Sequence, residues 1–330
     1  INFKIMKIVI TGGAGFIGSH LVKKLLDKKY EIVIVDNFST GRQSNIKEFK
    51  NKIKIVKADI SRKGSWTKYF KNANAVFHLA ALADIVPSIQ NPEKYFESNV
   101  LGTKNILNTC ILNKIPKIIY SASSSCYGIP SKYPTTENEK IDPRYPYALT
   151  KRIGEEMILH YSRIYNIRAL SLRLFNVYGT KSRTSGTYGA MFGVFLKQKI
   201  ECKPLTVVGN GEQKRDFTYV SDIVDAFYKC LFYKGKINIF NVGTGKPISV
   251  NKIVKILKCK KIKIPKRPGE PDITHANINL VKKELNWRPK ITIEKGVSLI
   301  LKEINYWKKA PLWTPNKIKK ATHDWFKYIK

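Results

Sequence analysis

Two polar side chains that stand four positions apart could together move a proton. The stretch YALTK places Tyr147 and Lys151 in a segment with a helical pattern, so both side chains lie on one face of that helix. A phenol has a pKa of about 10, which is too high for a base at neutral pH. A neighbouring ammonium stabilises the phenolate and lowers that pKa. The pair is therefore a candidate general base for a hydroxyl group, although this spacing alone is common on protein surfaces.

A run of serines could hold the hydroxyl group on which such a base acts. Ser123, Ser124 and Ser125 end the stretch KIIYSASSS, whose apolar part predicts a strand. Ligands of α/β proteins bind at the carboxyl ends of parallel strands, where these serines would lie. The alternative interpretation of the run is an ordinary polar turn.

A glycine-rich loop near the start of the chain has the pattern of an anion-binding turn. In KIVITGGAGFIGSHL, Gly12, Gly15 and Gly18 stand between a β-branched run and a helical stripe of apolar residues. Such a loop lets the backbone approach a pyrophosphate, and the following helix N-terminus supplies free N–H groups. Asp36 ends the next strand, where it can bind both ribose hydroxyls and would repel a 2′-phosphate, so NAD is favoured over NADP. Arg42 nearby is a weaker indication in the other direction.

The elements that must position these groups alternate between strand and helix patterns. Strands are predicted for KIVIT, EIVIVD, KIKIVKADI, NAVFHLAA, KIIYSASS and RALSLRLFNVYG, with long helices over about 93–113 and over 145–165. This alternation predicts right-handed βαβ units and a parallel sheet covered on both faces. After Gly179 the pattern loosens and prolines interrupt short elements, which predicts a smaller second region laid over the sheet. The later stretch INIFNVGTG is one more strand that could return to the main sheet.

The composition restricts the class of protein. The net charge of +36 raises the question of a nucleic-acid partner, but the lysines are spread along the chain without a long block, which favours a solvated basic surface. No apolar run approaches the roughly 20 residues of a membrane span, and the first residues lack the pattern of a secretory signal. The five cysteines stand singly, so we expect no disulfide framework, no metal site and a cytoplasmic location.

Many further motifs occur in one order along nearly the whole chain. Besides TGGAGFIG and YALTK they include HLAA, SNVLGT, RLFNVYG, KPLTVVGNGEQKRDFTYVSD, NVGTG and RPGEPD. In these motifs the chain resembles extended short-chain dehydrogenases/reductases of the nucleotide-sugar epimerase/dehydratase family. The resemblance implies an α/β fold: a Rossmann-type doubly wound parallel sheet with a smaller C-terminal substrate-binding region. We expect residues 1–180 and 216–245 to bind NAD, and residues 181–215 and 246–330 to bind a nucleotide sugar.

The resemblance also implies site residues on both sides. The residues expected at NAD, from pyrophosphate through adenine to nicotinamide, are Gly12, Gly15, Phe16, Ile17, Gly18, Asp36, Asn37, Ser39, Asp59, Ile60, Leu79, Ala80, Ala81, Asn99, Tyr147, Lys151 and Phe175. The residues expected at the sugar nucleotide are Ser123, Ser124, Ser125, Tyr147, Asn176, Gly189, Ala190, Thr206, Val207, Val208, Arg215, Arg267 and Thr274. Ser123, Tyr147 and Lys151 are the expected catalytic residues. Two other reactive side chains, His78 and Cys126, are interpreted as core residues without a catalytic role.

The reaction implied by the resemblance is NAD-dependent 4-epimerisation of a UDP-sugar through a 4-keto intermediate, for glycan or surface-polysaccharide precursors. Dehydratases of the family carry an Asp-Glu pair where this chain has Ser124 and Ser125, which cannot serve as an acid–base pair at neutral pH. Thr274 stands where some relatives have a bulky tyrosine, so UDP-GlcNAc/UDP-GalNAc is expected as well as UDP-Glc/UDP-Gal. A UDP-glucuronate 4-epimerase or decarboxylase, another nucleotide-sugar oxidoreductase and a nucleic-acid-binding protein of the same fold stay open as alternatives.

Two expectations concern contacts of the chain. Family analogy implies a homodimer through the helices around 93–113 and 147–165. The basic and aromatic tail YWKKAPLWTPNKIKKATHDWFKYIK is interpreted as helices that cap the substrate region, with a partner or a membrane surface as the alternative.

Overall fold

A computed structural model describes residues 5–182 and 191–329, and its centre is a parallel sheet of seven strands. Their order across the sheet is β11-β6-β5-β4-β1-β2-β3. The strands of this sheet are β1 Lys7–Thr11, β2 Glu31–Asp36, β3 Lys54–Lys57, β4 Ala75–His78, β5 Lys117–Ser123, β6 Arg168–Leu174 and β11 Ile239–Val242. The order reverses between β1 and β4, which is the position where doubly wound sheets bind ligands. The predicted α/β class and the return of INIFNVGTG to the main sheet, as β11 beside β6, are both confirmed.

The strands are apolar along their length because both faces of the sheet are covered. In β1, Ile8 and Ile10 are fully buried in one core, and Val9 between them is fully buried in the other. The side chains of a strand alternate between faces, so continuous runs of Val and Ile fill two cores at once. This explains why KIVIT and EIVIVD read as unbroken apolar runs.

Helices connect and cover the strands. Their bounds are α1 Phe16–Asp27, α2 Gln43–Ile46, α3 Ile85–Gln90, α4 Pro92–Phe96, α5 Gly102–Leu112, α6 Pro146–Ile164, α7 Met191–Ile200, α8 Val220–Cys230, α9 Val250–Leu257, α10 Asn279–Leu285, α11 Ile293–Lys302, α12 Pro315–Ala321 and α13 His323–Tyr328. One π-helical turn, Glu97–Leu101, joins α4 to α5, so the predicted long helix over 93–113 is continuous but locally widened. Over the described part of the chain, none of these helices has the length and apolarity to cross a bilayer.

Short strand pairs build the second region. The remaining strands are β7 Val177–Tyr178, β8 Leu205–Val208, β9 Lys214–Arg215, β10 Thr218–Tyr219, β12 Ile248–Ser249 and β13 Lys261–Ile264. They pair as β7 with β10, β8 with β13, and β9 with β12. Leu205 and Val207 of β8 belong to the same buried core as Ile8 of β1, so this region packs directly on one face of the main sheet. The exact division into an NAD-binding and a sugar-binding part stays a prediction.

Candidate active site

The glycine loop is folded so tightly that side chains would not fit at two of its positions. Gly12 has a φ of +72°, and a Cβ there would lie 2.8 Å from the backbone nitrogen of Ala80. A Cβ on Gly18 would collide with the carbonyl oxygen of Gly12. Helix α1 begins directly after this turn, and its N-cap, Gly15, provides no side-chain hydrogen bond to the first N–H groups. The loop therefore presents unpaired helical donors and the positive end of the helix dipole, as a pyrophosphate requires.

Asp36 is held at the end of β2, beside this loop. Its Oδ2 accepts a hydrogen bond of 2.9 Å from the Ala14 N–H, and its Oδ1 accepts one of 2.8 Å from the Phe38 N–H. Burial raises the pKa of this carboxyl, and the two N–H groups oppose that rise. Gly41 packs on the carboxylate so closely that a Cβ would come within 2.8 Å of Oδ1. The carboxylate is thus oriented next to the glycine loop, at the position expected for a ribose ligand.

The other residues expected around adenine form a small polar cluster. Asn37 donates to Asp59 over 3.3 Å and accepts a hydrogen bond from the Ser39 N–H. Ile60 is buried, and its carbonyl oxygen accepts a hydrogen bond from Asn105. Their side chains follow the ends of β2 and β3, which are neighbours in the sheet. They lie together as predicted, although their contact with adenine stays a prediction.

Arg42, the sequence feature that pointed toward NADP, faces an aromatic ring. Its guanidinium carbon lies 5.6 Å from the ring centroid of Tyr306. Burial raises the pKa of Tyr306, and Arg42 opposes that rise. The arginine is therefore packed against a ring instead of lying against the Asp36 carboxylate.

Asn99 uses its side chain within the protein. Its Nδ2 donates to the Leu82 carbonyl and to Thr150 Oγ1, each at 3.0 Å, and its Oδ1 accepts from the Leu82 N–H at 2.8 Å. These bonds tie the segment after β4 to helix α6. In this structure Asn99 positions the walls of the site, and its predicted direct contact with NAD stays untested.

Ser123, Tyr147 and Lys151 come together at the carboxyl end of β5. Ser123 ends this strand, and its Oγ lies 2.8 Å from Ser125 Oγ. Tyr147 and Lys151 lie in the first turns of α6, which packs against β5. Lys151 is almost fully buried, with its Nζ 4.2 Å from the ring centroid of Tyr120. The helical spacing and the strand end thus converge as the sequence predicted.

The expected electrostatics of the pair are wrong in one respect. Burial raises the pKa of Tyr147, and a hydrogen bond from Ser123 only partly opposes that rise. Burial also lowers the pKa of Lys151 to about 7, against a weaker opposite effect of Glu155. Burial thus works against the ammonium form of Lys151, which is the form that would stabilise a Tyr147 phenolate. The sequence pattern could not show how completely both groups are removed from water.

A cavity of about 520 Å³ extends from the glycine loop to the second region. The predicted residues that line it are Phe16, Ile17, Leu79, Ala81, Ser123, Ser124, Ser125, Tyr147, Lys151, Phe175, Asn176, Thr206, Val208, Arg215, Arg267 and Thr274. Val207 does not line it: side chains of β8 alternate, and Val207 is fully buried in the main core. A side-chain contact of Val207 with a nucleotide base is therefore not supported. Gly189 and Ala190 lie outside the described residues.

On the far side of the cavity two arginines share one carboxylate. Arg215 Nη2 lies 2.8 Å from Glu270 Oε1, and Arg267 Nη1 lies 3.7 Å from Glu270 Oε2. The carboxylate holds both guanidinium groups at the same wall of the cavity. Two guanidinium groups so placed can bind a diphosphate, because the planar fork matches phosphate oxygens.

A buried carboxylate that sequence analysis missed organises the loops around these arginines. Asp216 is fully buried and accepts hydrogen bonds from the N–H groups of Thr244, Gly245 and Ala276 and from the Thr244 hydroxyl, at 2.6 to 3.0 Å. The Asp216 N–H in turn donates to Thr274 Oγ1, which donates to Asn176 Oδ1 over 2.7 Å. The acidic residue directly after Arg215 in the stretch KRDF was a signal that could have found it.

Several lining residues were likewise not singled out from the sequence. They are Asp84, Tyr145, Ser182, Gln213, Glu270 and Trp325. Each lies in a segment where the sequence analysis gave a role to a neighbouring residue or to none. No sequence signal showed that Trp325, four residues before the last described residue, reaches the cavity.

His78 and Cys126 are both core residues, as predicted. His78 is fully buried, and its ring nitrogens lie 2.7 Å from Thr11 Oγ1 and 2.9 Å from Thr103 Oγ1. Burial lowers the pKa of this ring to about 3, so it stays neutral at physiological pH. Cys126 is buried, and burial raises the pKa of its thiol to about 12. Both groups are structural, and neither offers a reactive form at neutral pH.

The comparisons with known proteins agree with this geometry. The model of the NAD dependent epimerase/dehydratase family matches residues 8–243. A putative UDP-glucose 4-epimerase of Methanocaldococcus jannaschii is 37% identical over 301 residues, which cover 89% of this chain and 97% of that protein.

Two solved structures with the same fold are UDP-sugar 4-epimerases. The UDP-N-acetylglucosamine 4-epimerase of Methanobrevibacter ruminantium, in complex with UDP-N-acetylmuramic acid, superposes with a TM-score of 0.85 at 29% identity, covering 91% of this chain and 100% of that one. The UDP-glucuronic acid 4-epimerase of Bacillus cereus, in complex with UDP-glucuronic acid and NAD, has a TM-score of 0.83 at 31% identity, covering 91% and 99%.

The glycine loop, the Asp36 carboxylate beside it and the buried pair Tyr147 and Lys151 fit NAD by their own chemistry, and the family model spans the segments that carry all of them. The chain therefore belongs to the NAD-dependent epimerase/dehydratase family.

Proposed function

We propose that this protein interconverts the C4 epimers of a UDP-sugar, either UDP-Glc and UDP-Gal or UDP-GlcNAc and UDP-GalNAc. One observation carries the proposal: Ser123, Tyr147 and Lys151 open into the same cavity as the diphosphate-binding pair Arg215 and Arg267. A sugar held by its diphosphate at the two arginines would lie between them and the glycine loop. The reacting hydroxyl would then meet Ser123 and Tyr147.

The chain's own residues would move one proton in each direction. Ser123 orients the sugar 4-hydroxyl, and Tyr147 in its phenolate form takes the proton as the C4 carbon becomes a ketone. Because burial raises the pKa of Tyr147, this form would depend on positive charge nearby, from Lys151 when it is protonated and from the nicotinamide ring of bound NAD. NAD, when bound at the glycine loop, supplies reversible storage of the hydride from C4. The 4-keto sugar turns its other face toward the cofactor, and Tyr147 returns the proton to the ketone oxygen. The reaction causes no net oxidation, because the hydride returns to C4 and the proton returns to the oxygen on C4.

The serine run supports epimerisation over dehydration. Ser124 and Ser125 begin a short 3₁₀ helix after β5, and Ser125 hydrogen-bonds Ser123. A 4,6-elimination needs a general acid and a general base beside the sugar, which hydroxyl groups do not provide at neutral pH. The 4-keto sugar would therefore be reduced again instead of losing water.

Thr274 supports a substrate with room at C2. It lines the cavity, and its hydroxyl is engaged with Asn176 and the Asp216 N–H, so only a small side chain stands there. The known relatives act on plain, N-acetylated and uronic acid sugars, so a UDP-glucuronate 4-epimerase is the second candidate. The cations that line the described cavity near a sugar or diphosphate are Lys151, Arg215 and Arg267. The last two share Glu270, which favours their use for the diphosphate over a sugar carboxylate.

We further propose a homodimer that forms through α4, α5 and α6. These helices and the turns at their ends carry large apolar side chains that are exposed, among them Leu112 at 80%, Ile164 at 57% and Leu149 at 48%. Exposed apolar side chains gathered on neighbouring helices are typical of an interface between subunits. We also propose a cytoplasmic location, which agrees with the five cysteines that form no disulfide bond. We propose in addition a role in making glycan precursors.

Proton NMR of the purified protein with NAD and a panel of nucleotide sugars tests the proposed function. The panel comprises UDP-Glc, UDP-GlcNAc and UDP-glucuronate, each offered alone. The expected result is the appearance of the C4 epimer of UDP-Glc or UDP-GlcNAc until equilibrium is reached. A 4-keto-6-deoxy product without a C4 epimer would contradict epimerisation, and turnover of UDP-glucuronate alone would favour the second candidate.

A further inference from the structure

The C-terminal segment 308–329 contacts two helices, α7 and α3, that both contribute to the wall of the cavity. On one side it is fastened to α7, where Lys197 Nζ donates to the Lys308 carbonyl and Gln198 Nε2 donates to the Trp313 carbonyl, each at 2.7 Å. On the other side α13 packs against α3, the helix that follows β4. Both α3 and α7 contribute residues to the cavity wall. The segment therefore spans the two sides of the cavity.

Trp325 is the residue of this segment that reaches the cavity. It is 2% exposed, and its indole Nε1–H donates to the Pro268 carbonyl over 2.8 Å. Its ring lies 6.1 Å from the ring of Tyr145, which precedes α6, and 5.4 Å from the guanidinium carbon of Arg267. The indole is therefore packed between the start of the catalytic helix and the loop that carries Arg267.

This contact restricts where the Arg267 side chain can point. Glu270 attracts the guanidinium from one direction at 3.7 Å, and the indole face supports it from another. A guanidinium that lies against an aromatic face has a defined orientation of its plane. A long side chain that is already ordered loses less entropy when a phosphate binds.

We propose that Trp325 is a positioning residue for Arg267, and that the C-terminal segment thereby sets the affinity of the site for a nucleoside diphosphate. The proposal rests on the proposed function for the identity of the ligand. It assigns to the tail a role inside the site, whereas the sequence indicated only a cap over it. NAD binding should not depend on it, because the glycine loop is built from other segments.

Calorimetric titration with UDP, which needs no turnover, tests the proposal. Trp325→Ala should raise the Kd for UDP about tenfold and leave the Kd for NAD within about twofold. Trp325→Phe keeps an aromatic face and should restore most of the affinity, to within about threefold of the parent protein. Phe326→Ala, on the same helix but 45% exposed, is the matched control and should change neither constant.

A double-mutant cycle with Arg267→Ala separates positioning from direct contact. If Trp325 acts through Arg267, adding Trp325→Ala to Arg267→Ala should cause no further loss of UDP affinity. Losses that multiply, or an unchanged Kd in Trp325→Ala with its melting temperature retained, would overturn the proposal. If Trp325→Ala folds poorly, Trp325→Leu removes the ring with less loss of volume and carries the same expectation. If the parent protein itself does not bind UDP, that result would instead contradict the proposed function.

Discussion

The candidate active site has two sides, one proposed to bind NAD and one proposed to bind the sugar nucleotide, and they are built in different ways. The NAD side uses backbone N–H groups of one turn and a carboxylate that is itself held by two backbone N–H groups, all from segments next to β1 and β2. The sugar-nucleotide side depends on side chains from distant segments, joined through Asp216, Glu270 and Trp325. Backbone-built sites require glycine at a few positions, whereas a side-chain-built site requires a buried network to be complete. Substitutions on the two sides should therefore have different effects on stability and on ligand binding.

The largest expected effect lies where the two sides meet. In this mechanism the Tyr147 oxygen accepts the proton of the sugar 4-hydroxyl. Tyr147→Phe removes that oxygen, so turnover should fall about 10³-fold. Binding of NAD and of UDP should stay within about threefold, since the ring is retained. Progress curves by NMR and separate titrations measure these quantities. Tyr165→Phe, at the exposed end of the same helix, is the control, and an unchanged rate in Tyr147→Phe would refute the assigned base.

On the NAD side, Gly18→Ala should damage fold and cofactor binding together. The new Cβ would meet the Gly12 carbonyl oxygen, which is backbone and cannot move away alone. Overpacking of this kind costs about 1–3 kcal/mol, seen as a lower free energy of unfolding in urea and as weaker NAD binding. Gly15→Ala, whose Cβ would lie 3.1 Å from the same oxygen, should cost less stability. Equal stability of the two variants would contradict this account of the loop.

On the sugar-nucleotide side, Asp216→Asn should weaken UDP binding without affecting NAD. The amide nitrogen would face backbone N–H groups, so at least one buried donor loses its acceptor, at a cost of about 1–3 kcal/mol in the free energy of unfolding. The Kd for UDP should rise about tenfold because the Arg215 and Thr274 segments lose their common anchor. Asp272→Asn is the control, since its side chain is 71% exposed and its ion pair with Lys266 lies at the surface. A parallel loss of NAD affinity would show that the two sides are not independent.

A pH dependence of stability is expected from Lys151. Its pKa is about 7 in the fold and about 10.4 in an unfolded chain, so between these values the unfolded chain binds more protons. This group therefore makes stability rise with pH across that window, and its burial is least favourable below pH 7. Lys151→Met should be more stable than the parent protein at pH 6, with an advantage that shrinks toward pH 10.

Urea unfolding at both pH values measures that difference. Lys50→Met, at an exposed position, should change the free energy of unfolding by less than about 0.5 kcal/mol at either pH. A Lys151→Met variant that is less stable at pH 6 than at pH 10, relative to the parent, would show that the buried lysine is not the source of the effect.

Local patterns were sufficient for the sheet, the glycine loop, Asp36 and the convergence of Ser123 with Tyr147. Strand alternation could also have shown that Val207 faces away from its neighbours Thr206 and Val208. Asp216 and Trp325 were missed because their partners stand far away in the chain: Asp216 contacts Ala276, and Trp325 contacts Pro268. The expected effect of Lys151 on Tyr147 was wrong because spacing shows which groups are neighbours but not how far burial removes them from water.

The sequence by itself determined the fold class and the preference for NAD, and it predicted that Tyr147 and Lys151 share one face of a helix. The spacing of apolar residues, the positions of glycines and an acidic residue at a strand end are local properties. They act through backbone geometry and hydrogen bonding. Only the tertiary structure decided how burial shifts the pKa values of Tyr147 and Lys151, the sharing of Glu270 by Arg215 and Arg267, and the arrival of Trp325 at the cavity. Desolvation and contacts between distant segments arise from packing, because they depend on which surfaces the folded chain brings together.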